Sequence, residues 1–254
     1  MKTDKKTNHT ACYHLPGLFE FYELYRSFLP IFREHREYFY DWCEIGSIYG
    51  APADCVWGGG RAGFGDNKPR EILALMQEYN ISSRLTFSNS LLREEHLSDK
   101  KCNELCKLFN KGAGTKNGII IHSELLLEYL KKNYPGFYFV SSTTKVLTVF
   151  QQFLNEINRY DFHYLGENCP DHRCAAPDAM KGYRFSQAMK NPGFISTDDI
   201  RNVYMPMGFS NFKIERRGLG SALVLEFLLY YMTRPEHQLE VRETIYLDSM
   251  LDLF

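Results

Sequence analysis

His122 closes the apolar run Ile119-Ile120-Ile121, so a strand built on that run ends on an imidazole, a group that exchanges protons near neutral pH. The plainer alternative is a histidine hydrogen-bonded to a neighbouring strand. The segment Glu167-Asn168-Cys169-Pro170-Asp171-His172-Arg173-Cys174 places two thiols and an imidazole within six positions of a loop. Thiolates at this density suit zinc or an iron–sulfur cluster, with Cys169, Cys174 and His172 as ligands. A four-ligand site needs another donor, and Cys43 and Cys55 are the reasonable ones. Cys102 and Cys106 stand one helical turn apart and read better as small buried hydrophobes than as ligands. Lys213 and Glu215 share one face of a strand at period two, with Arg216 just beyond. That arrangement can hold a carboxylate or phosphate, or close into an internal ion pair. Glu167 and Glu215 join His122 as catalytic candidates, while Arg61, Asn89, Asn168, Lys213 and Arg216 are the candidates for holding substrate. Asp161 and His163 alternate with Phe162 and Tyr164, which leaves open which pair faces inward.

Such residues act together only if a frame brings strand ends to one place. Short apolar runs at 44–49, 84–89, 118–122, 137–142, 160–166 and 211–215 are mostly followed by helix-like segments. Repeated βα units give parallel strands with right-handed crossovers. The expected fold is α/β, a TIM-like barrel, incomplete or distorted because six strands are legible rather than eight; hidden strands are expected around 53–57 and 194–196. A helix is expected over 17–29, where Pro30 ends it and starts a second towards Tyr40, an N-terminal aromatic helical pair. Pro69 opens another helix, Ser98 caps one ending near Gly112, and Ser123 and Thr144 cap helices over 125–132 and 146–157. Functional groups of such folds collect at the strand carboxyl ends. Here these read Tyr49-Gly50, Ser88-Asn89, His122-Ser123, Ser141-Ser142, Glu167-Asn168 and Glu215-Arg216, which implies a polar pocket. Gly58-Gly59-Gly60 with Gly63 and Gly65 lacks the Gly-x-Gly-x-x-Gly spacing, so no nucleotide cofactor is expected.

The 254 residues carry 30 Lys+Arg against 31 Asp+Glu and are 44% hydrophobic, enough for a sizeable core and without a global field for a polyanion. No DNA partner is expected. The most apolar stretch, 221–232, contains Glu226 and falls short of a bilayer span, so no membrane is expected either. MKTDKKTNHT has no signal-peptide core behind it and reads as a frayed start: residues 1–14 flexible, then one domain over 15–254. Seven cysteines in a chain this long point to free thiols or a metal in a reducing compartment, the cytoplasm.

The strand-end segment Glu167-Asn168-Cys169-Pro170 resembles the Asn-Glu-x-Cys-x-x-x-Cys-Pro region of the peptidase U32 family, the collagenase-like peptidases. Phe194-Ile195-Ser196-Thr197-Asp198-Asp199-Ile200, followed by Gly208 to Arg217, is similar to that family's short helix leading into a Lys-Ile-Glu-Gly-Arg strand; Arg216 stands where the family has glycine. The resemblance covers about 160–217. It implies a TIM-like barrel, and its members include assigned proteases and iron–sulfur proteins that support hydroxylation of RNA bases or a quinone precursor. No Ser/His/Asp order and no His-Glu-x-x-His is present to assert peptide hydrolysis directly.

The expected function is an enzyme acting on a peptide or small carboxylate-bearing substrate at the carboxyl rim, with or without a zinc or iron–sulfur centre. The alternative is a catalytically silent barrel that binds a peptide or partner protein, or a second copy of itself, through an aromatic-rich face. Phe19, Tyr22, Tyr25, Phe28, Phe32, Tyr38 and Phe39 would supply that face if helix packing leaves some of them exposed.

Overall fold

A computed structural model describes residues 10–59, 68–111, 114–147, 149–164, 184–190, 193–214 and 220–251. Six strands, β1 (Ala11–Pro16), β2 (Cys43–Gly50), β3 (Ser82–Phe87), β4 (Gly118–Ile121), β5 (Tyr138–Ser141) and β6 (Asn211–Lys213), form one sheet in the order β5-β4-β3-β2-β1-β6. The β1–β6, β2–β3, β3–β4 and β4–β5 ladders are all parallel. Strands β1 to β5 follow one another in the sheet, and β6 lies beside β1. Among the described residues no ladder joins β5 to β6.

The helices are α1 (Tyr22–Glu34), α2 (Pro69–Glu78), α3 (Lys100–Asn110), α4 (Glu124–Asn133), α5 (Phe150–Ile157), α6 (Phe185–Ala188), α7 (Thr197–Asp199), α8 (Ser221–Met232) and α9 (Gln238–Leu251). A π-helical turn, Ile200–Tyr204, continues α7. Pro69 begins α2 as expected, because a first-turn residue has no intrahelical use for its N–H. Ser123 caps α4 by accepting from Leu126 N. Asp99, not Ser98, caps α3, its carboxylate taking Cys102 N at 2.8 Å. Thr144 caps nothing at α5. That helix begins only at Phe150, since Val146 adopts a left-handed conformation at φ 49° that interrupts any helix starting there.

Three further expectations change. β1 was not foreseen and takes residues 11–14 from the stretch read as frayed; its Ala11, Tyr13 and Leu15 are buried. Instead of ending a helix, Pro30 lies inside α1, where burial of Phe28, Leu29 and Ile31 on either side offsets the missing hydrogen bond, and only a 3-10 turn, Arg36–Tyr38, follows. The segments around 53–57 and 194–196 are a 3-10 turn at Val56–Gly58 and the cap of α7 rather than strands. Over 160–166 the described part pairs with β5 through one parallel bridge, Val140 to Phe162, with Asp161 Oδ2 accepting from Phe139 N at 2.7 Å.

The chain divides into two compact units, one holding the described residues of 10–14, 23–46 and 167–254, the other 15–22 and 47–164. In the first, Phe28, Phe32 and Phe39 form mutual ring contacts, Tyr13 meets Phe212 and Tyr231, and the nearly all-apolar α8 is buried along most of its length. In the second, register assigns residues to the two faces of β2–β5. Ile48, Leu85, Phe87, Ile119, Ile121 and Phe139 share one face, where α2 packs on β3, α4 packs on β4, and Trp57 contacts both Phe87 and Tyr129 of α4. The opposite face carries Ser47, Tyr49, Ser82, Arg84, Thr86, Ile120, Tyr138 and Val140. Phe162 and Tyr164 join this second face, packing against Tyr49, Ile120 and Val140, which settles the alternation left open by the sequence.

Candidate functional site

The carboxyl ends of β4 and β5 bring together the side chains that can move a proton. The β4 run Gly-Ile-Ile-Ile stays extended through His122, whose N–H still reaches Phe87 O on β3 at 3.1 Å, so the imidazole leaves the sheet at its edge, half-buried. After β5 the chain turns through Ser142 and a 3-10 turn, Thr143–Lys145, that Ser142 caps by accepting from Thr144 N. The turn returns Thr144 to β4: its Oγ1 lies 2.8 Å from His122 Nδ1 and 2.8 Å from Ser142 Oγ. Nε2 of His122 has no hydrogen-bond partner among the described residues. Burial, followed by the charge of Lys145, holds the imidazole below its usual value, so the ring is neutral near neutrality.

The two hydroxyls give that neutral ring a choice of tautomer. With Nδ1 donating to Thr144, the Thr144 proton goes to Ser142 and Nε2 is a base. With Ser142 donating to Thr144 and Thr144 to Nδ1, the proton sits on Nε2, which then donates a hydrogen bond. In the first arrangement a proton taken up at Nε2 makes an imidazolium that can return it, so one ring serves both halves of a proton transfer.

Lys145 anchors this turn. Its side chain is 7% exposed, and its ammonium meets Glu124 Oε1 at 2.5 Å, Glu156 Oε1 at 2.6 Å and the Tyr160 hydroxyl at 2.8 Å, three acceptors for three N–H groups. Ser141 Oγ donates to the other oxygen of Glu156 at 2.7 Å, Tyr160 donates to Glu124 at 3.0 Å, and Arg159 pairs with Glu124 and Glu128. Burial pushes the Glu124 carboxyl up, but Lys145, Tyr160 and Arg159 outweigh it and hold the group below the ordinary range. The Tyr160 hydroxyl is raised, by burial first and then by Glu124. His163, on the far side of Tyr160, is lowered by burial and packs edge-on to Phe153 and Tyr160. With every proton of Lys145 engaged, the ammonium acts as a strut holding Thr144 against His122.

Of the other expected site residues, Asn89 shapes a turn: Nδ2 donates to Val56 O at 2.9 Å and Oδ1 accepts from Leu91 N at 2.9 Å. Cys43, the expected fourth metal donor, is buried. Its buried thiol donates to Tyr40 O at 3.1 Å, and burial pushes it up to about 11 despite the nearby Arg36 guanidinium. Lys213 lies on β6 opposite His14, in the other unit. Arg61, Glu167, Asn168, Cys169, His172, Cys174, Glu215 and Arg216 lie outside the described residues. Cys102 and Cys106 are buried on α3, with Cys55 Sγ 3.3 Å from Cys102 Sγ, and among the described residues no three His, Cys, Asp or Glu side chains are grouped to hold a metal.

Sequence reasoning missed Lys145, Glu124, Glu156 and Tyr160. Glu124 reads as an ordinary first-turn helix acid and Lys145 as a surface lysine, and nothing in their spacing announces that they meet. A polar residue three positions past a strand end was the available signal.

Fold and site together define an α/β protein with a parallel sheet whose carboxyl edge gathers an imidazole, two hydroxyls and a paired lysine. Family models, curated proteins and solved structures offer no match to this chain.

Proposed function

We propose that this protein is an enzyme built on a TIM-like barrel that uses His122 for proton transfer to or from a peptide or small carboxylate-bearing substrate, in the manner of the U32-like peptidases it resembles. The observation carrying this reading is the His122–Thr144–Ser142 chain at the carboxyl end of β4, with Nε2 left for a substrate atom. The pairing of β6 with β1 supports the barrel. A cation for the carboxylate would come from Arg61 or Arg216. Four free buried thiols, Cys43, Cys55, Cys102 and Cys106, are consistent with a reducing, cytoplasmic setting.

A zinc or iron–sulfur version of this enzyme rests on Cys169, Cys174 and His172, with Cys43 as the fourth donor. Protein purified without oxygen should then hold near-stoichiometric iron or zinc; less than about a tenth of an equivalent removes that version. For the catalytic reading, wild type and His122→Gln would be incubated with mixed peptides and N-acyl amino acids and followed by mass spectrometry. Wild type should consume a substrate and the variant should lose about 100-fold or more of that rate at an unchanged unfolding temperature. Equal rates, or no turnover by wild type, would sink it.

A second reading, a silent barrel that binds an apolar peptide, has its own support. Of the seven N-terminal aromatics, Phe19, Tyr25, Phe28 and Phe39 are buried and Tyr22, Phe32 and Tyr38 are half-buried. Val146, Val149, Phe150, Leu154 and Ile157 are exposed, Phe150 at 73%, and the α5 members recur at helical spacing.

A further inference from the structure

Arg84 stands on β3, on the sheet face that carries Tyr49, Thr86 and Ile120, and it is 2% exposed. Three rings surround its guanidinium: Cζ lies 4.9 Å from the Phe162 centroid, 5.2 Å from that of Tyr138 and 5.9 Å from that of Tyr164. Nε donates to the Tyr138 hydroxyl at 2.7 Å, and Nη1 donates to the Tyr164 hydroxyl. Ser82 Oγ donates to Lys116 O at 2.9 Å and sits 2.7 Å from the Tyr138 oxygen, so the Tyr138 proton is directed to Ser82 and its oxygen is left to accept from Arg84. This chain of donors fixes the guanidinium in place. Gly118 lies directly opposite Arg84 in the ladder, and a Cβ there would collide with the Tyr138 ring, so the glycine is what lets that ring lie over the arginine.

A guanidinium has five N–H groups and remains charged under all ordinary conditions. Two of the five are engaged by phenols, and among the described residues no carboxylate pairs with Arg84. Ring faces and phenol oxygens lessen the cost of a buried cation without neutralising it. The N–H groups of Nη2 and the second one of Nη1 make no hydrogen bond among the described residues, a set that suits a planar anion accepting two parallel hydrogen bonds.

We propose that this aromatic cage is an anion subsite that takes a small carboxylate on Arg84. The proposal concerns binding alone and does not depend on His122 being catalytic. The test uses the full chain, its thermal unfolding followed in sodium acetate, sodium phosphate and sodium chloride at one pH and matched ionic strength. A ligand that binds only the folded state raises the unfolding temperature with saturation. Acetate should do so in wild type, above chloride and above phosphate. Arg84→Lys keeps the charge and loses the fork, and its apparent acetate affinity should fall by at least about tenfold. Acetate behaving like chloride in wild type overturns the subsite, and so does an equal acetate response in Arg84→Lys. Phosphate exceeding acetate overturns the choice of carboxylate. If Arg84→Lys does not fold, acetate-dependent shifts of the Tyr138 and Tyr164 ring resonances in wild type decide the matter, and unmoved resonances count against the proposal.

Discussion

Two buried clusters in the 47–164 unit are held by opposite physics. Beneath the helices, Trp57 stacks edge-on to Phe87 and Tyr129, with Cys55, Cys102, Cys106 and Phe109 buried on the same side of the sheet. Directional contacts are few and lie at its rim, among them the Trp57 indole N–H to His96 O at 2.7 Å and the Tyr129 hydroxyl to Asn103 Oδ1 at 2.8 Å. At the strand ends, Lys145, Glu124, Glu156 and Tyr160 are joined almost entirely by charge and hydrogen bonds. The first cluster is sensitive to volume and indifferent to pH, because close-packed apolar groups lose dispersion and transfer energy when atoms are removed. The second is sensitive to charge, and it is the one that holds the proposed proton-transfer group. The molecule therefore positions its chemistry with directional bonds and leaves the apolar layer to hold the sheet together.

The largest expected effects set one cluster against the other. Trp57→Ala should lower unfolding free energy by about 3–5 kcal/mol, by the same amount at every pH where the protein folds. Lys145→Met should cost about 3 kcal/mol at neutral pH, because it leaves the half-buried Glu156 carboxylate without its cation. In that variant the stranded carboxylates take up protons more readily, so its deficit against wild type should shrink as pH falls into the carboxylate range. Urea unfolding across pH checks both; a constant deficit for Lys145→Met would remove the distinction drawn between the clusters.

His122 supplies a smaller, pH-specific effect. Its folded value lies below the ordinary 6.5, so between the two values the unfolded chain binds the proton more readily. Stability should therefore rise with pH through that window and fall away as pH drops below 6.5. Glu124 acts lower down: its folded value is depressed below 4.5, so its stabilisation is present above 4.5 and is lost as pH falls through the folded value. His122→Gln should flatten only the first slope, and an NMR titration of the His122 ring should give a midpoint under 6.5. A midpoint above 6.5 would mean that burial does not govern the ring.

The smallest effect is expected where a polar group has no bond to lose. Thr86 Oγ1 is buried with no partner among the described residues. Thr86→Val should leave stability unchanged or raise it by up to about 1 kcal/mol, read by urea unfolding. A clear loss would show that the hydroxyl is satisfied after all.

Much of the frame was legible in the residues. Apolar runs marked β2 to β5 and β6 because a parallel strand buried on both faces must be continuously apolar or small, and Pro69 and Ser123 marked helix starts through chemistry confined to the first turn. β1 was not legible, since Ala-Cys-Tyr-His-Leu-Pro has neither an apolar run nor clean alternation. It is a strand because it has neighbours on both sides. Pro30 misled for a similar reason: local preference argues for a break, and burial of the flanking side chains overrides it.

The amino-acid order by itself determined the repeated βα pattern, and it placed His122 at the end of a strand, because period and punctuation act over a few residues. Which side chains meet across 11 to 22 positions was decided only in three dimensions. Lys145 reaches Glu124, Glu156 and Tyr160, and Thr144 reaches His122, because the register of β4 against β5 sets their turns side by side. Arg84 is ringed by Tyr138, Phe162 and Tyr164 because those residues fall on its face of the sheet. Tertiary contacts of this kind depend on distances between segments, and no local spacing along the chain encodes them.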